Sequence, residues 1–304
     1  MDDLTPTREE LVDYLRRRRN WGRWGPDDER GAMNLVTADK RRAAGALVRS
    51  GRALSLSRPL PTAPAPNNRH PAMLYMERVP HAQGGGASKD FQGMAYHGQS
   101  ATHIDALCHV WDADGMWGGR DPDEQIGLGG SSWGSIDHWR DGIFTRGVLL
   151  DVPRFRGMPY VEQDRPVRGD ELDAICASQG VSLEPGDAVT VHCGRAAYER
   201  DVGPWSADMT RRPGLDASCL PFFRESDAAV VLWDMWDVAP DPYELAFGVH
   251  SVLHAFGMGV IDSALLEPLA AACQEEGRYD FLLTVNPLYV PGATGSLVNP
   301  VAVF

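Results

Sequence analysis

The residues best suited to chemistry lie in the segment His97–His109, which reads HGQSATHIDALCH. His103 and Asp105 are two residues apart, so on a strand both side chains point to the same face. His109 follows Asp105 by four residues and returns to the same cavity if the strand ends near Asp105 and a helical turn begins. Because imidazole and carboxylate together suit a divalent cation such as Zn²⁺ or Mn²⁺, the segment predicts a metal or acid–base site.

Each of these side chains also has an ordinary structural interpretation. A histidine or an aspartate often caps a turn or bonds a carbonyl group in the core. Three such residues within seven positions, separated by the apolar Ile104, Ala106 and Leu107, favour a functional site over three independent structural roles.

A complete site needs side chains from elsewhere in the chain. His250 and His254 (HSVLH) are four residues apart and would share one helix face, a spacing found in many zinc sites. No glutamate follows the first histidine, and a histidine satisfied within the core is the alternative for either residue. Asp262, twelve residues after His250, is a further candidate ligand. It precedes a helical pattern, so an N-cap is its structural alternative.

The elements that must position these residues follow from periodicity and turn signals. Thr7 and Glu10 form a capping-box pattern for a helix over 8–19, and Thr37 caps a second helix over 38–49. A Pro/Asn stretch over 59–71 and a glycine-rich stretch over 118–134 are expected to be loops. We predict strands over 53–57, 74–79, 91–97, 147–152, 188–192, 228–232, 258–261 and 281–285, and helices over 170–178, 246–256 and 263–274.

Strands and helices mix along the chain without a strict βαβ rhythm, which indicates an α/β fold with a mixed sheet. We expect one domain over 1–304, with 1–50 as an N-terminal helical extension packed on it. The loop at 59–71 is too short to separate two independent cores.

Charge and composition exclude several classes of function. The chain has 29 Lys and Arg against 42 Asp and Glu, and the net charge of −13 is unsuited to nucleic acid or an anionic membrane surface. The chain contains no run of about 18 apolar residues, the length that a helix needs to span a bilayer. The start, 1–20, is charge-rich and lacks the apolar core of a secretory signal. Five cysteines without paired spacing argue against a disulfide framework, so we expect a cytoplasmic location.

The pattern THxDxxxH at Thr102–His109 resembles the signature of the metal-dependent cyclase/hydrolase family that includes bacterial kynurenine formamidase and isatin hydrolase. The family pattern is H-x-G-T-H-x-D-x-P-x-H, followed late in the chain by a histidine and a glutamate. Further segments agree with the longer branch of the family: NWGRWG at 20–25, RGVLLD at 146–151, GDAV at 186–189, PGATGS at 291–296, and Asn299-Pro300. The resemblance implies the mixed-sheet, swivelling β/β/α-type fold of kynurenine formamidase-like proteins.

The resemblance also implies roles for individual residues. His103 and Asp105 match family metal ligands, and Asp105 occupies the position that can bridge two ions. His109 matches the family's proton donor and acceptor. His250 matches a ligand of the second metal position.

The chain's departures from the family pattern include the following three. Gln99 stands where the family has its first histidine ligand, Ala101 replaces a glycine, and the shorter Asp262 replaces the bridging glutamate. Gln99 and Asp262 remain candidate ligands, but a neutral amide and a shorter carboxylate weaken a site for two ions. We therefore expect one divalent ion, Zn²⁺ or Mn²⁺, and a metal-free site remains an alternative. His97, two residues from Gln99, is a candidate to replace the missing imidazole or to contact substrate.

The family resemblance implies hydrolysis of an amide, imide or lactam C–N bond, or of another acyl bond, in a small molecule. The same groups could instead close a ring or dehydrate a substrate in a biosynthetic pathway, and a metal-free binding protein is a further alternative. Trp21 and Trp24 are candidate walls of an aromatic substrate pocket, with packing anchors as the structural alternative. Homodimers or homotetramers are expected.

Two nucleophile hypotheses compete with the metal site. Gly130–Gly134 (GSSWG) matches G-x-S-x-G, but glycine-rich residues precede it where a serine hydrolase has a buried strand. Cys108 and Cys193 are conceivable nucleophiles, although Cys108 lies among apolar neighbours and is expected to be a small core residue.

Overall fold

The computed structural model describes residues 6–304, so the first five residues of the charge-rich start lie outside the described residues. Its α-helices are α1 (Arg8–Arg18), α2 (Ala38–Gly45), α3 (Pro122–Gln125), α4 (Val152–Arg156), α5 (Gly169–Gln179), α6 (Arg195–Asp201), α7 (Cys219–Ser226), α8 (Val252–Phe256) and α9 (Glu267–Glu276). Short 3₁₀ helices cover Gly31–Leu35, Trp117–Gly119, Ile136–Trp139 and Gly248–Ser251. Within 6–304, no helix has the length and hydropathy needed to cross a bilayer.

The strands form one large mixed sheet and two small hairpins. They are β1 (Ala53–Ser55), β2 (Met73–Pro80), β3 (Gly86–Gly93), β4 (His103–Asp105), β5 (Ile126–Gly127), β6 (Gly130–Ser131), β7 (Ile143–Asp151), β8 (Ala188–His192), β9 (Val230–Trp233), β10 (Gly259–Asp262), β11 (Asp280–Val285), β12 (Gly295–Leu297) and β13 (Val301–Val303). The large sheet has the order β1-β13-β11-β7-β8-β9-β10-β4-β12, and β2–β3 and β5–β6 are the hairpins.

The sheet is parallel at its centre, where β7, β8, β9 and β10 pair in the same direction. Strands β8, β9 and β10 are buried along their whole length, which explains their continuous apolar runs. Antiparallel strands flank this centre on both sides. At one of these joints Gly147 lies opposite Phe281, and a Cβ on Gly147 would come within 2.3 Å of the Phe281 ring. Only glycine therefore fits there.

The N-terminal extension packs against α8 and the chain that follows it. Helix α1 begins at the predicted capping box, in which the Thr7 hydroxyl accepts from Glu10 N and the Glu10 carboxylate accepts from Thr7 N. Further along, Ala32 N donates to Gly257 O at 2.7 Å. A Cβ on Gly31 would lie 2.3 Å from the same oxygen, so this close approach requires a glycine.

A buried cluster of charged side chains lies at the carboxyl ends of β7, β8 and β9. His192 Nδ1 lies 3.0 Å from Asp151 Oδ1, and its Nε2 lies 3.9 Å from one oxygen each of Asp234 and Glu267. Burial lowers the pKa of His192, but the three carboxylates outweigh it and raise the pKa to about 10. Asp234 also accepts the backbone N–H groups of residues 193–195, which fixes the start of α6.

Several predicted elements shift in the structure. The strand predicted over 91–97 instead begins at Gly86 and ends at Gly93, as β3 of the β2–β3 hairpin. The glycine-rich stretch over 118–134 contains α3 and the β5–β6 hairpin. The helix predicted over 263–274 starts later, at Glu267, so the N-cap interpretation of Asp262 is wrong and this residue ends strand β10. The helix over 38–49 ends at Gly45.

Candidate metal centre

The strand register brings one imidazole and two carboxylates to the same face of the sheet. In the antiparallel pair β4–β10, His103 lies directly opposite Asp262, and cross-strand partners share a face. His103 Nε2 is 3.4 Å from Asp105 Oδ1 and 3.8 Å from Asp262 Oδ2. The intervening Ile104 points to the opposite face and is fully buried, which anchors this register.

His250 joins this cluster from the 3₁₀ turn Gly248–Ser251. Its Nε2 lies 3.3 Å from Asp262 Oδ2 and 4.0 Å from Asp105 Oδ2. On the other side of the ring, Nδ1 contacts the carboxylate of Asp237, which also accepts the N–H groups of Val249 and His250. A carboxylate on the far nitrogen is the usual support for a metal-binding imidazole, because it fixes the tautomer and the ring plane.

His97, rather than Gln99, places its side chain against Asp105. His97 Nδ1 lies 2.9 Å from Asp105 Oδ1, and its Nε2 lies 2.9 Å from Thr294 Oγ1. The side-chain amide of Gln99 instead donates to Met209 Sδ at the edge of the cavity, and the backbone carbonyl oxygen of Gln99 accepts from Arg195.

The burial and charge of the Asp105 carboxylate indicate whether a cation fits this cluster. Its carboxylate is fully buried, and both oxygens lack a hydrogen-bond partner among residues 6–304, although His97 Nδ1 lies close. An unpartnered buried carboxylate is costly. Burial raises its pKa, but His103, His109 and His97 outweigh burial and lower it, so Asp105 is ionised. A divalent cation fits this donor set.

The ligand atoms form two overlapping groups, each within 4.8 Å: His97, His103 and Asp105, and then Asp105, His250 and Asp262. His103 Nδ1 lies 2.9 Å from Ala101 O, an arrangement that leaves Nε2 directed into the cluster as a ligand atom. Asp262 contributes one oxygen, because the indole N–H of Trp233 donates to the other.

His109 lies beside the cluster and faces the cavity. Its Nε2 is 3.8 Å from Asp105 Oδ2, and its ring stacks on His97 with centroids 3.9 Å apart and planes 6° apart. The predicted turn after β4 is present, with His109 N donating to Ala106 O. Burial lowers the pKa of His109 to about 4, only partly offset by the charge of Asp105. The imidazole is therefore neutral near pH 7 and can accept a proton.

A cavity of about 470 Å³ opens over these residues. Its walls beyond the cluster are largely apolar, with Val110, Met209, Trp236, Leu245 and Phe247, and they include one arginine, Arg212. A cavity of this size suits a small organic molecule.

Both tryptophans proposed as pocket walls lie elsewhere, so that interpretation is corrected. Trp21 donates its indole N–H to His254 O, and Trp24 packs on Trp117 with ring centroids 6.2 Å apart. Both side chains pack the N-terminal extension against the rest of the domain, and neither lines the cavity.

The expected pairing of His250 and His254 on one helix face is also wrong. The 3₁₀ turn ends at Ser251, before α8, and this change of helix type sends the two rings apart. His254 points toward Asp112, whose Oδ2 is 3.8 Å from its Nδ1.

Neither rival nucleophile has the required surroundings. The serine of the G-x-S-x-G pattern, Ser132, is exposed, and its hydroxyl donates to Gln125 Oε1 at 2.8 Å rather than to a histidine. Burial raises the pKa of the Cys108 thiol to about 11 and that of Cys193 well above its ordinary value.

Sequence reasoning missed Asp237, Trp233, Trp236 and Arg212. Asp237 and Asp234 lie three residues apart in WDMWD. The local sequence does not show which of the two carboxylates supports His250 and which caps α6. A cavity wall built from several loops leaves no periodic signal.

The model of the family described as putative cyclase matches residues 52–240. The chain belongs to the putative cyclase family. No curated protein matches this cyclase-family chain. A solved structure described as a novel cyclase is 29% identical, with a TM-score of 0.84, and the match covers 95% of this chain and 99% of that one. The prediction of the family and of a mixed α/β fold is thus confirmed.

More distant structures share the fold alone. Isatin hydrolase A from Labrenzia aggregata, solved with benzyl benzoate, is 18% identical with a TM-score of 0.56; the match covers 86% of this chain and 94% of that one. A predicted metal-dependent hydrolase from Bacillus stearothermophilus is 12% identical with a TM-score of 0.51, and the match covers 84% and 98%.

Proposed function

We propose that this cyclase-family protein is a metal-dependent hydrolase of a small amide, lactam or related acyl substrate. The observation that carries the proposal is the buried Asp105 carboxylate, which makes no hydrogen bond in the described chain and is surrounded by imidazoles that line the cavity. His103, Asp105 and His250 would hold one divalent ion, with His97 and Asp262 within reach as further ligands.

Such an ion supplies a Lewis acid that polarises the substrate carbonyl and makes water a nucleophile near neutral pH. His109 is the group that moves protons. Its neutral imidazole accepts the proton of the attacking water and then donates a proton to the departing nitrogen. Stacking on His97 holds the ring plane, with Nε2 on the side of Asp105.

The remaining residues orient the ligands and bind substrate. Asp237 fixes the tautomer of His250, and Trp233 holds Asp262 with one oxygen toward the cluster. The apolar walls contributed by Trp236, Leu245 and Phe247 exclude water and hold the organic part of the substrate.

The proposal is tested by assaying purified protein against a panel of amides, lactams and lactones before and after chelation. We expect hydrolysis that a chelator abolishes, that Zn²⁺ or Mn²⁺ restores, and that a serine-directed sulfonyl fluoride leaves intact. Inactivation by the sulfonyl fluoride with no effect of chelation would contradict the proposal.

Ring closure or dehydration on the same site is the second candidate function, and the putative cyclase family match favours it. Product analysis separates the two, because hydrolysis adds one water to the substrate whereas dehydrative cyclisation removes one. A metal-free binding protein, suggested by Gln99 and Asp262, would show neither reaction and no bound ion. Cytoplasmic location and homo-oligomerisation stay predictions.

A further inference from the structure

Arg212 differs from the other largely buried arginines in how its charge is compensated. Arg195 pairs with Glu199 at 2.8 Å, and Arg156 pairs with Glu171 at 2.6 Å. Among residues 6–304, no carboxylate oxygen lies within 4.0 Å of the Arg212 guanidinium. A guanidinium does not lose its proton in a protein, so Arg212 places a full positive charge in the wall of the cavity.

Backbone carbonyl groups fix this guanidinium in place. Nε donates to Asp237 O at 2.9 Å and Nη1 donates to Met209 O at 2.8 Å. Nη2 donates no hydrogen bond within the described residues, and it is not buried. Trp236 lies beside the group, with its ring centroid 5.9 Å from Arg212 Cζ. The arginine is thus held by neutral acceptors, and its remaining donor has no partner within the protein.

Asp237 and Asp262, the two carboxylates whose charges act on Arg212, are already bonded to other groups. The Asp237 carboxylate contacts His250 Nδ1 and accepts the N–H groups of Val249 and His250. Asp262 is bonded to Trp233 and lies in the ligand cluster. No carboxylate of the described residues, Asp241 of the cavity wall included, lies within 4.0 Å of the Arg212 guanidinium, which leaves its remaining donor for an anion that enters the cavity.

We propose that Arg212 binds a carboxylate of the substrate, distinct from the acyl group that reacts, so that the protein prefers anionic over neutral acyl compounds. An anion site at Arg212 would define the substrate class of the proposed hydrolase, and this inference rests on that proposed function. Arginine suits this role because its planar N–H donors form charge-assisted hydrogen bonds to carboxylate oxygens. The neighbouring Trp236 and Phe247 suit an aromatic body attached to the anion.

The test uses benzoate and benzamide, which have nearly the same shape and differ in charge, with dissociation constants measured by calorimetry. In the wild type we expect benzoate to bind at least about tenfold more tightly than benzamide, the ratio expected for one charge-assisted hydrogen bond. Arg212→Met should weaken benzoate by about that factor and change benzamide less than about twofold. If that variant does not fold, Arg212→Gln removes the charge and keeps a donor for the backbone carbonyl groups.

Arg211→Met is the matched control, since Arg211 is the exposed neighbour and should leave both constants unchanged. Unchanged benzoate binding in folded Arg212→Met or Arg212→Gln would overturn the inference.

Repeating the titrations after chelation distinguishes failure of the Arg212 proposal from failure of the metal-site proposal. Benzoate binding that survives Arg212→Met but disappears on chelation refutes the role of Arg212 and supports the metal site. Binding that depends on Arg212 and survives chelation supports the anion site even if the metal proposal fails.

Discussion

Asp237→Asn is expected to weaken metal binding while leaving the fold intact. An asparagine can keep its carbonyl oxygen on the N–H groups of Val249 and His250, so the local turn retains its acceptor. Its amide N–H₂ then faces His250 Nδ1 and donates to it. The imidazole is forced to carry its proton on Nε2, the nitrogen that faces Asp105 and Asp262. A protonated nitrogen cannot be a ligand.

Loss of such a supporting carboxylate typically costs 10- to 100-fold in metal affinity, or about 1.4 to 2.7 kcal/mol. The assay is a Zn²⁺ titration in competition with a chromophoric chelator, run beside thermal unfolding of the chelated proteins. Asp141→Asn, at an exposed position, is the matched control and should match the wild type in both measurements. Wild-type zinc affinity in Asp237→Asn would refute the assignment of His250 as a ligand supported by Asp237.

Three further results are expected. His109→Ala should abolish turnover with metal content unchanged, and an active variant would refute its role as the proton carrier. His103→Ala should instead lose the ion, as measured by elemental analysis; full retention would remove it from the ligand set. The folded-state pKa of His192 is raised to about 10, so its contribution to stability is complete below its unfolded pKa of about 6.5 and is lost as pH rises toward 10. The wild type should lose stability over that window more steeply than His192→Gln, and equal slopes would contradict the protonated cluster.

Much of the architecture is predictable from local patterns in the chain. The buried central strands are continuous apolar runs, and β8 (Ala188–His192) has the predicted bounds. The capping box at Thr7 predicts the start of α1. These features depend on neighbouring residues, and for that reason sequence periodicity detects them.

The site was only partly predictable. The i,i+2 spacing predicts that His103 and Asp105 share a face, and the turn after β4 returns His109 toward them. The roles of Asp237 and Arg212 depend on where the loop after β9 meets the turn at Gly248–Ser251. That meeting is set by tertiary packing, which local spacing does not encode. The same holds for Trp21, whose partner lies 233 residues away.

Elemental analysis of the purified protein tests the central claim most directly. If the residues around Asp105 hold a catalytic cation, the wild type should contain one equivalent of a divalent transition metal per chain. That metal should be absent from His103→Ala, and the exposed control Asp141→Asn should retain it. Wild-type protein that contains no metal, and gains none when incubated with Zn²⁺ or Mn²⁺, would contradict the account.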